Sequence, residues 1–172
     1  MKFLWLDMEM TGLEVDKERI IEIAVIITDE NWQSLDSYHS IIKQDQTFLD
    51  AMDDWNQKQH GGSGLKAAVP NGKDLARAEE EVIALIKRHW SKKERPILAG
   101  NSIHQDRKFI TKYMPKLEDR LHYRMLDVSS YKIVLDQIHN KKFKKNDSHR
   151  ALDDIKESIA ELKYYLSFVK ID

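Results

Sequence analysis

The feature that most constrains this chain is a strand pattern that is apolar on both faces. From Lys2 to Met10 the residues alternate, so that Phe3, Trp5, Asp7 and Glu9 share one face and Leu4, Leu6, Met8 and Met10 the other, as side chains do along an extended backbone. Arg19 to Thr28 follows as an apolar, β-branched run of strand length, and Ser34 to Ile42 as a weaker strand. The short links between these runs predict an antiparallel meander. Strands with two apolar faces need cover on both sides, and the rest of the chain has to supply it.

From Asp74 the apolar period becomes helical. Leu75, Val82, Leu85, Ile86 and His89 recur at helical spacing, in a helix that must stop before Pro96. Ile97 to Gly100 reads as a short buried strand, and the stretch opened by Ser102 and Asp106 as a helix ended by Pro115. Arg124 to Val128 reads as a further strand, Ser130 to Ile138 as a helix, and Ser148 to Val169 as the last and clearest helix. Two stretches read as loops: Gln57 to Lys73, with Gly61, Gly62 and Gly64, and the basic tract Lys141 to Lys145. An antiparallel start followed by an α-β-α-β-α alternation predicts an α/β fold, a mixed sheet flanked by helices. A chain of 172 residues without internal repeats predicts a single domain over residues 1–172.

Composition narrows the partners. Lys and Arg number 28 against 29 Asp and Glu, so no basic excess exists to wrap a long nucleic acid. The absence of Cys removes disulfides, thiolate nucleophiles and Cys-based zinc sites, and suits a reducing compartment, with the cytoplasm as the expected place. The apolar start from Met1 to Leu6 meets Asp7 too soon for a signal peptide or a membrane span, and no membrane partner is expected.

The carboxylates carry the chemistry. Asp7 and Glu9 project from one strand face about 7 Å apart along it, and such a pair needs solvent or a cation. On a wheel of 100° per residue with Ile110 at zero, Asp106 falls at about −40°, inside the apolar stripe. In the last helix, with Ile155 at zero, Asp154 at about −100° flanks the buried face, while Asp153 at about 160° points to water. His149 can meet Asp154 only if it precedes the first turn, which an N-cap at Asp147 or Ser148 would allow. Acids leaning toward a core from separated elements suit hard divalent cations, Mg²⁺ above all. A pair of such ions can stabilise the attacking and leaving oxygens of a phosphodiester displacement, and a nearby His can take the proton of water.

The strings Asp7-Met8-Glu9-Met10-Thr11-Gly12-Leu13, Gly100-Asn101-Ser102-Ile103-His104-Gln105-Asp106 and His149-Arg150-Ala151-Leu152-Asp153-Asp154-Ile155 resemble the exonuclease motifs of the DEDDh superfamily and, more narrowly, the oligoribonuclease family. The resemblance runs in order over nearly the whole chain and includes Trp55 through His60 to Leu65, and Tyr123 to Ser129. It implies a ribonuclease H-like fold and a 3′→5′ exoribonuclease that cuts short oligoribonucleotides, down to dinucleotides, into nucleoside 5′-monophosphates. It implies further that Asp7, Glu9, Asp106 and Asp154 hold two divalent metal ions, Mg²⁺ or Mn²⁺, and that His149 is the general base. Leu13 would wedge between the two bases and Trp55 stack on one. Ser102, Ser129, Tyr123 and Arg124 would close on the terminal 5′ phosphate of short single-stranded RNA in a homodimer, Tyr123 and Arg124 reaching across to the partner's substrate. Met8 stands where the family usually has Leu, and Asn56 where Cys is common; neither position supplies chemistry.

Two rivals remain at this point. One is a general DEDDh exonuclease acting on longer RNA or DNA 3′ ends. The other is a catalytically silent nucleic-acid-binding module, which has no need of all four acids and the His together.

Overall fold

The computed structural model describes residues 1–144 and 150–170. Its centre is a mixed sheet of five strands in the order β3-β2-β1-β4-β5. Strand β1 (Lys2–Met10) pairs antiparallel with β2 (Ile20–Asp29), and β2 with β3 (Ser34–Ile41), which makes the expected meander. On the other side β1 runs parallel to β4 (Ile97–Gly100), and β4 parallel to β5 (Met125–Asp127).

Side-chain parity along β1 sorts the core into two layers. Leu4, Leu6 and Met8, with Ile23, Val25 and Ile27 of β2, pack under α4 (Leu75–His89) and α5 (His104–Tyr113) through Val82, Leu85, Ile86, Phe109 and Ile110. Trp5, Ala24 and Ile26 face the opposite layer, where α8 (Ala151–Leu166) lays down Ala151, Ile155, Leu162 and Tyr165. Asp7 and Glu9 follow Trp5 on the α8 side, so the strand delivers them toward the helix that carries Asp154.

The parallel pairing of β1 with β4 covers only Phe3 to Trp5. Residues 7 to 10 of β1 therefore run past the end of β4 and leave a crevice beyond the C-terminal ends of the parallel strands, where open α/β sheets bind ligands. Close packing at that end depends on Gly100: a Cβ there would lie 2.8 Å from the Leu6 carbonyl oxygen and 2.9 Å from Cδ1 of Ile103.

Three readings of the sequence need correction. The stretch 57–73 is not a loop. It holds the end of α2 (Asp54–Gly62), α3 (Leu65–Ala68) and a 3₁₀ turn (Val69–Asn71), preceded by the short α1 (Gln46–Asp50). Gly61 and Gly62 occupy the last turn of α2, and Gly64 takes the left-handed conformation at φ 75° that separates the two helices. The helix expected over 130–138 starts earlier, as α7 (Val128–Lys132), because Asp127 accepts a bond from the Ser129 N–H, and it continues as a π-helical turn over Ile133–Ile138; a further short helix, α6, spans Pro115–Glu118. The last helix starts at Ala151, with Arg150 extended at its N-cap position; Asp147 and Ser148 lie outside the described residues. Residues 141–144 have no regular structure, as expected for the basic tract, and Lys145 lies outside the described residues.

Candidate active site

At the crevice, carboxylate oxygens of Asp7, Glu9 and Asp154 lie within 4.8 Å of one another, all three residues half-buried. Parity on β1 aims the first two, and the first turn of α8 brings the third, while its neighbour Asp153 is exposed and bonds Lys156 at 2.8 Å. Asp106 sits behind this group. It is buried in α5, and its Oδ1 accepts the Met8 N–H at 3.0 Å. That amide belongs to the length of β1 that β4 does not pair, so the carboxylate satisfies an otherwise open strand edge.

Electrostatics at this end is one-sided. Burial pushes Glu9 up to about 8, and the charges of Asp154, Glu22 and Asp106 push the same way, with only Arg150 opposing. Burial likewise holds Asp106 well above the usual carboxylate range, although hydrogen bonds from its own and the Met8 amide pull it down. A donor set in which burial holds Glu9 largely neutral gains affinity for a cation as that proton leaves. The set is all oxygen, which suits hard divalent ions. Asp106 is not among the three that converge within 4.8 Å, and His149 lies outside the described residues.

The turn after β4 carries a second group. Ser102 is held in the left-handed region at φ 49°. Its N–H donates to Asp127 Oδ1 at 3.0 Å and to Ser129 Oγ at 2.7 Å, and the two serine hydroxyls lie 3.0 Å apart. Backbone strain of this kind persists where surrounding bonds over-determine it. Behind it, Asn101 donates to Ser158 Oγ at 2.9 Å and Glu161 Oε2 at 2.8 Å, which locks the turn to α8.

The base-binding candidates flank a cleft of about 540 Å³ lined by Glu9, Leu13, Glu18, Trp55 and Asn56 among others. Leu13 is 67% and Trp55 60% exposed, and both line that cleft. Trp55 is therefore not the core aromatic that its residue type alone suggests. Its helix is fastened by Asp53, which accepts the Asn56 N–H at 2.8 Å, and by His60 Nε2, 3.0 Å from the Met10 carbonyl oxygen.

Tyr123 and Arg124 are not brought to the acids. Tyr123 is 72% exposed, stacks on His122 at 4.5 Å, and has the Arg124 guanidinium 5.3 Å from its ring centre. Sequence reasoning missed Asp127, which organises the serine turn, and the pairing of buried Glu22 with half-buried Arg150, with Glu22 Oε1 2.7 Å from Arg150 Nη2. A signal for Glu22 was present: it is an acid inside the apolar run of β2.

Known proteins resemble this chain over most of its length. A family model described as "Exonuclease", of the RNase T type, matches residues 4–162. An oligoribonuclease of Shewanella sp. (strain W3-18-1) is 47% identical over 171 residues, covering 96% of this chain and 94% of that one. The human mitochondrial oligoribonuclease is 44% identical over 170 residues, covering 95% of this chain and 71% of the human one. Among solved structures, E. coli Exonuclease I with a dT13 oligonucleotide superposes with a TM-score of 0.73 at 13% identity, over 97% of this chain and 41% of that one. The zinc-bound form of Exonuclease I with single-stranded DNA gives 0.72 at 13% identity, over 97% and 41%. The chain thus spans about two fifths of the Exonuclease I chain, and that likeness shows the shared ribonuclease H-like fold.

Proposed function

The chain belongs to the exonuclease family and, within it, to the oligoribonucleases of the DEDDh superfamily. From that premise we propose that it is a 3′→5′ exoribonuclease that hydrolyses short oligoribonucleotides, down to dinucleotides, to nucleoside 5′-monophosphates. The observation that carries this reading is the convergence of Asp7, Glu9 and Asp154 within 4.8 Å beside a cleft flanked by Leu13 and Trp55.

In this reading Asp7, Glu9, Asp106 and Asp154 hold two divalent ions, Mg²⁺ or Mn²⁺. When bound, these ions lower the pKa of water and neutralise the charge that develops on the phosphate and on the departing oxygen. The burial that raises Glu9 gives a physical reason for the site to take up cations with loss of a proton. His149 receives the proton of the attacking water, the P–O3′ bond breaks, and the leaving 3′-oxygen takes a proton from solvent. Trp55 stacks on one base and Leu13 separates it from the next, with stacking worth about 1–3 kcal/mol per base. A near-neutral chain fits a substrate with few phosphates, since affinity must then come from stacking and placed donors rather than from counterion release.

The serine turn supports a phosphate contact. Ser102 and Ser129 place two hydroxyls 3.0 Å apart, and Tyr123 and Arg124 lie outward, where a second copy of the chain can use them. An exposed apolar set supports a homodimer: Ile133, Val134 and Ile138 are 54%, 47% and 69% exposed, and Val134 and Val169 share an apolar concavity with Leu135. No helix among the described residues is long and apolar enough to cross a membrane, and the likeness to bacterial oligoribonucleases supports a cytoplasmic place for the activity.

The test compares a diribonucleotide with a twenty-residue RNA, each with Mg²⁺ or Mn²⁺. Rapid release of mononucleotides from the two-mer, abolished by EDTA, is expected. Equal rates on both lengths would favour a general exonuclease instead, and no turnover with either metal would remove the proposal.

A further inference from the structure

Glu22 stands directly opposite Glu9 in the register of β1 and β2, yet it is not among the carboxylates that converge at the site. Its side chain is fully buried, and its oxygens are taken up elsewhere. Arg150 donates from Nε and Nη2 to Oε1 at 3.0 and 2.7 Å, the Ala151 N–H donates to Oε2 at 3.3 Å, and His39 Nε2 lies 2.6 Å from Oε1. Burial alone would raise this carboxyl, but the bonds from Arg150, His39 and Ala151 outweigh it and hold Glu22 below the usual range. Glu22 is thus an anionic anchor, closed to a cation.

What it anchors is the start of α8. Arg150 occupies the N-cap position without a capping bond from its own side chain, and Glu22 accepts the N–H of Ala151, one of the first-turn amides that have no partner within the helix. The Arg150 carbonyl in turn accepts the N–H of Asp153 at 2.9 Å and of Asp154 at 3.0 Å. A continuous path therefore runs from the Glu22 carboxylate on β2, through the Arg150 guanidinium and its carbonyl, to the backbone of Asp154. The two ends of the anchor are 128 positions apart in the chain.

We propose that Glu22 and Arg150 form a tether that fixes the first turn of α8 against the sheet and so positions Asp154 beside Asp7 and Glu9. Both are positioning residues that touch neither cation nor substrate. The inference rests on the metal-binding reading above. It assigns the two glutamates that face each other across β1 and β2 to different tasks: Glu9 is left among the acids, and Glu22 is neutralised to hold the helix that completes them. Groups that orient the ligands of a metal site change its affinity by about 10- to 100-fold when removed, and an Arg fork is not replaced by a Lys at such a bidentate contact.

The experiment is Mn²⁺ titration of the full chain by calorimetry, with thermal unfolding in parallel, for wild type, Arg150→Gln, Arg150→Lys, Glu22→Gln and the Glu22→Gln/Arg150→Gln double variant. Arg150→Gln should weaken Mn²⁺ binding about tenfold or more, with the double variant no weaker than the weaker single one. Asp74→Ala, which removes the cap of α4, should lower stability without moving Mn²⁺ affinity. Wild-type affinity in Arg150→Gln would overturn the inference, as would losses that simply multiply in the double variant. If Glu22→Gln does not fold, the Arg150 pair decides: full recovery in Arg150→Lys would mean that charge alone acts. A wild-type chain that takes up no Mn²⁺ would overturn the metal reading, and the inference with it.

Discussion

The acidic end of β1 and the serine turn after β4 sit at the same end of the sheet, but they are organised differently. At the first, three carboxylates converge within 4.8 Å inside one chain, and Asp106 is bonded to the strand behind them. At the second, Ser102 and Ser129 are held together past the C-terminal ends of β4 and β5, while Tyr123, which precedes β5, is left 72% exposed. Bond-breaking chemistry needs groups fixed to within fractions of an ångström, which a single fold supplies through packing and buried bonds. Recognition of a substrate's far end tolerates a contribution from outside, and exposed aromatic groups are the usual form such a contribution takes.

Substitutions separate the two ends. The largest effect belongs to Asp7→Ala and Asp154→Asn, which should each lower turnover of a diribonucleotide by at least about 10³-fold, at the top of what loss of one electrostatic stabiliser costs. Because Asp154 repels Glu9, the Asp154→Asn chain should melt higher than wild type when both are stripped of metal. A parallel fall in activity and in melting temperature would contradict the account of the acidic end. Next comes Trp55→Ala, expected to raise KM for the diribonucleotide about 5- to 150-fold, the equivalent of one stacked base, with Mn²⁺ affinity unchanged.

The serine end should respond more gently and more selectively. Ser129→Ala should lower the preference for a 5′-phosphorylated dinucleotide over its 5′-hydroxyl form by about 1.5–3 kcal/mol, the range for a hydrogen bond to a charged group, and leave a long RNA untouched. Equal losses on both dinucleotides would place Ser129 outside phosphate recognition. Tyr123→Ala should act on the same preference without changing the stability of the chain by more than about 0.5 kcal/mol, as for other exposed positions.

A pH dependence of stability probes the acidic end alone. Glu9 is raised from 4.5 to about 8 in the fold, so the folded state favours its neutral form, and that contribution to stability is complete at low pH. It is lost as pH rises from about 4.5 through about 8. The melting temperature of EDTA-treated protein should fall across that window, and the increment produced by added Mg²⁺ should grow across it. An increment that does not vary with pH would separate Glu9 from the cation site.

The contrast between the two ends also explains what could be read from the sequence. Parity along β1 put Trp5, Asp7 and Glu9 on one face, and a single helical wheel placed Asp106 in a buried stripe and chose Asp154 over Asp153; local periodicity contains that information. The start of α8 at Ala151 was out of reach, because the acceptor for its N–H is Glu22 on another element. Glycines misled over 57–73, where Gly61 and Gly62 close a helix and only Gly64 requires the left-handed region. The exposure of Trp55 and Tyr123 follows from tertiary placement, so only resemblance to a family marked them as surface groups with a task.

The most direct measurement is an anomalous difference map of crystals grown with Mn²⁺ and a non-hydrolysable dinucleotide. The account predicts two manganese peaks in contact with Asp7, Glu9, Asp106 and Asp154. Density for the dinucleotide in the cleft with no manganese at those carboxylates, from crystals of protein that cleaves diribonucleotides in solution, would contradict it.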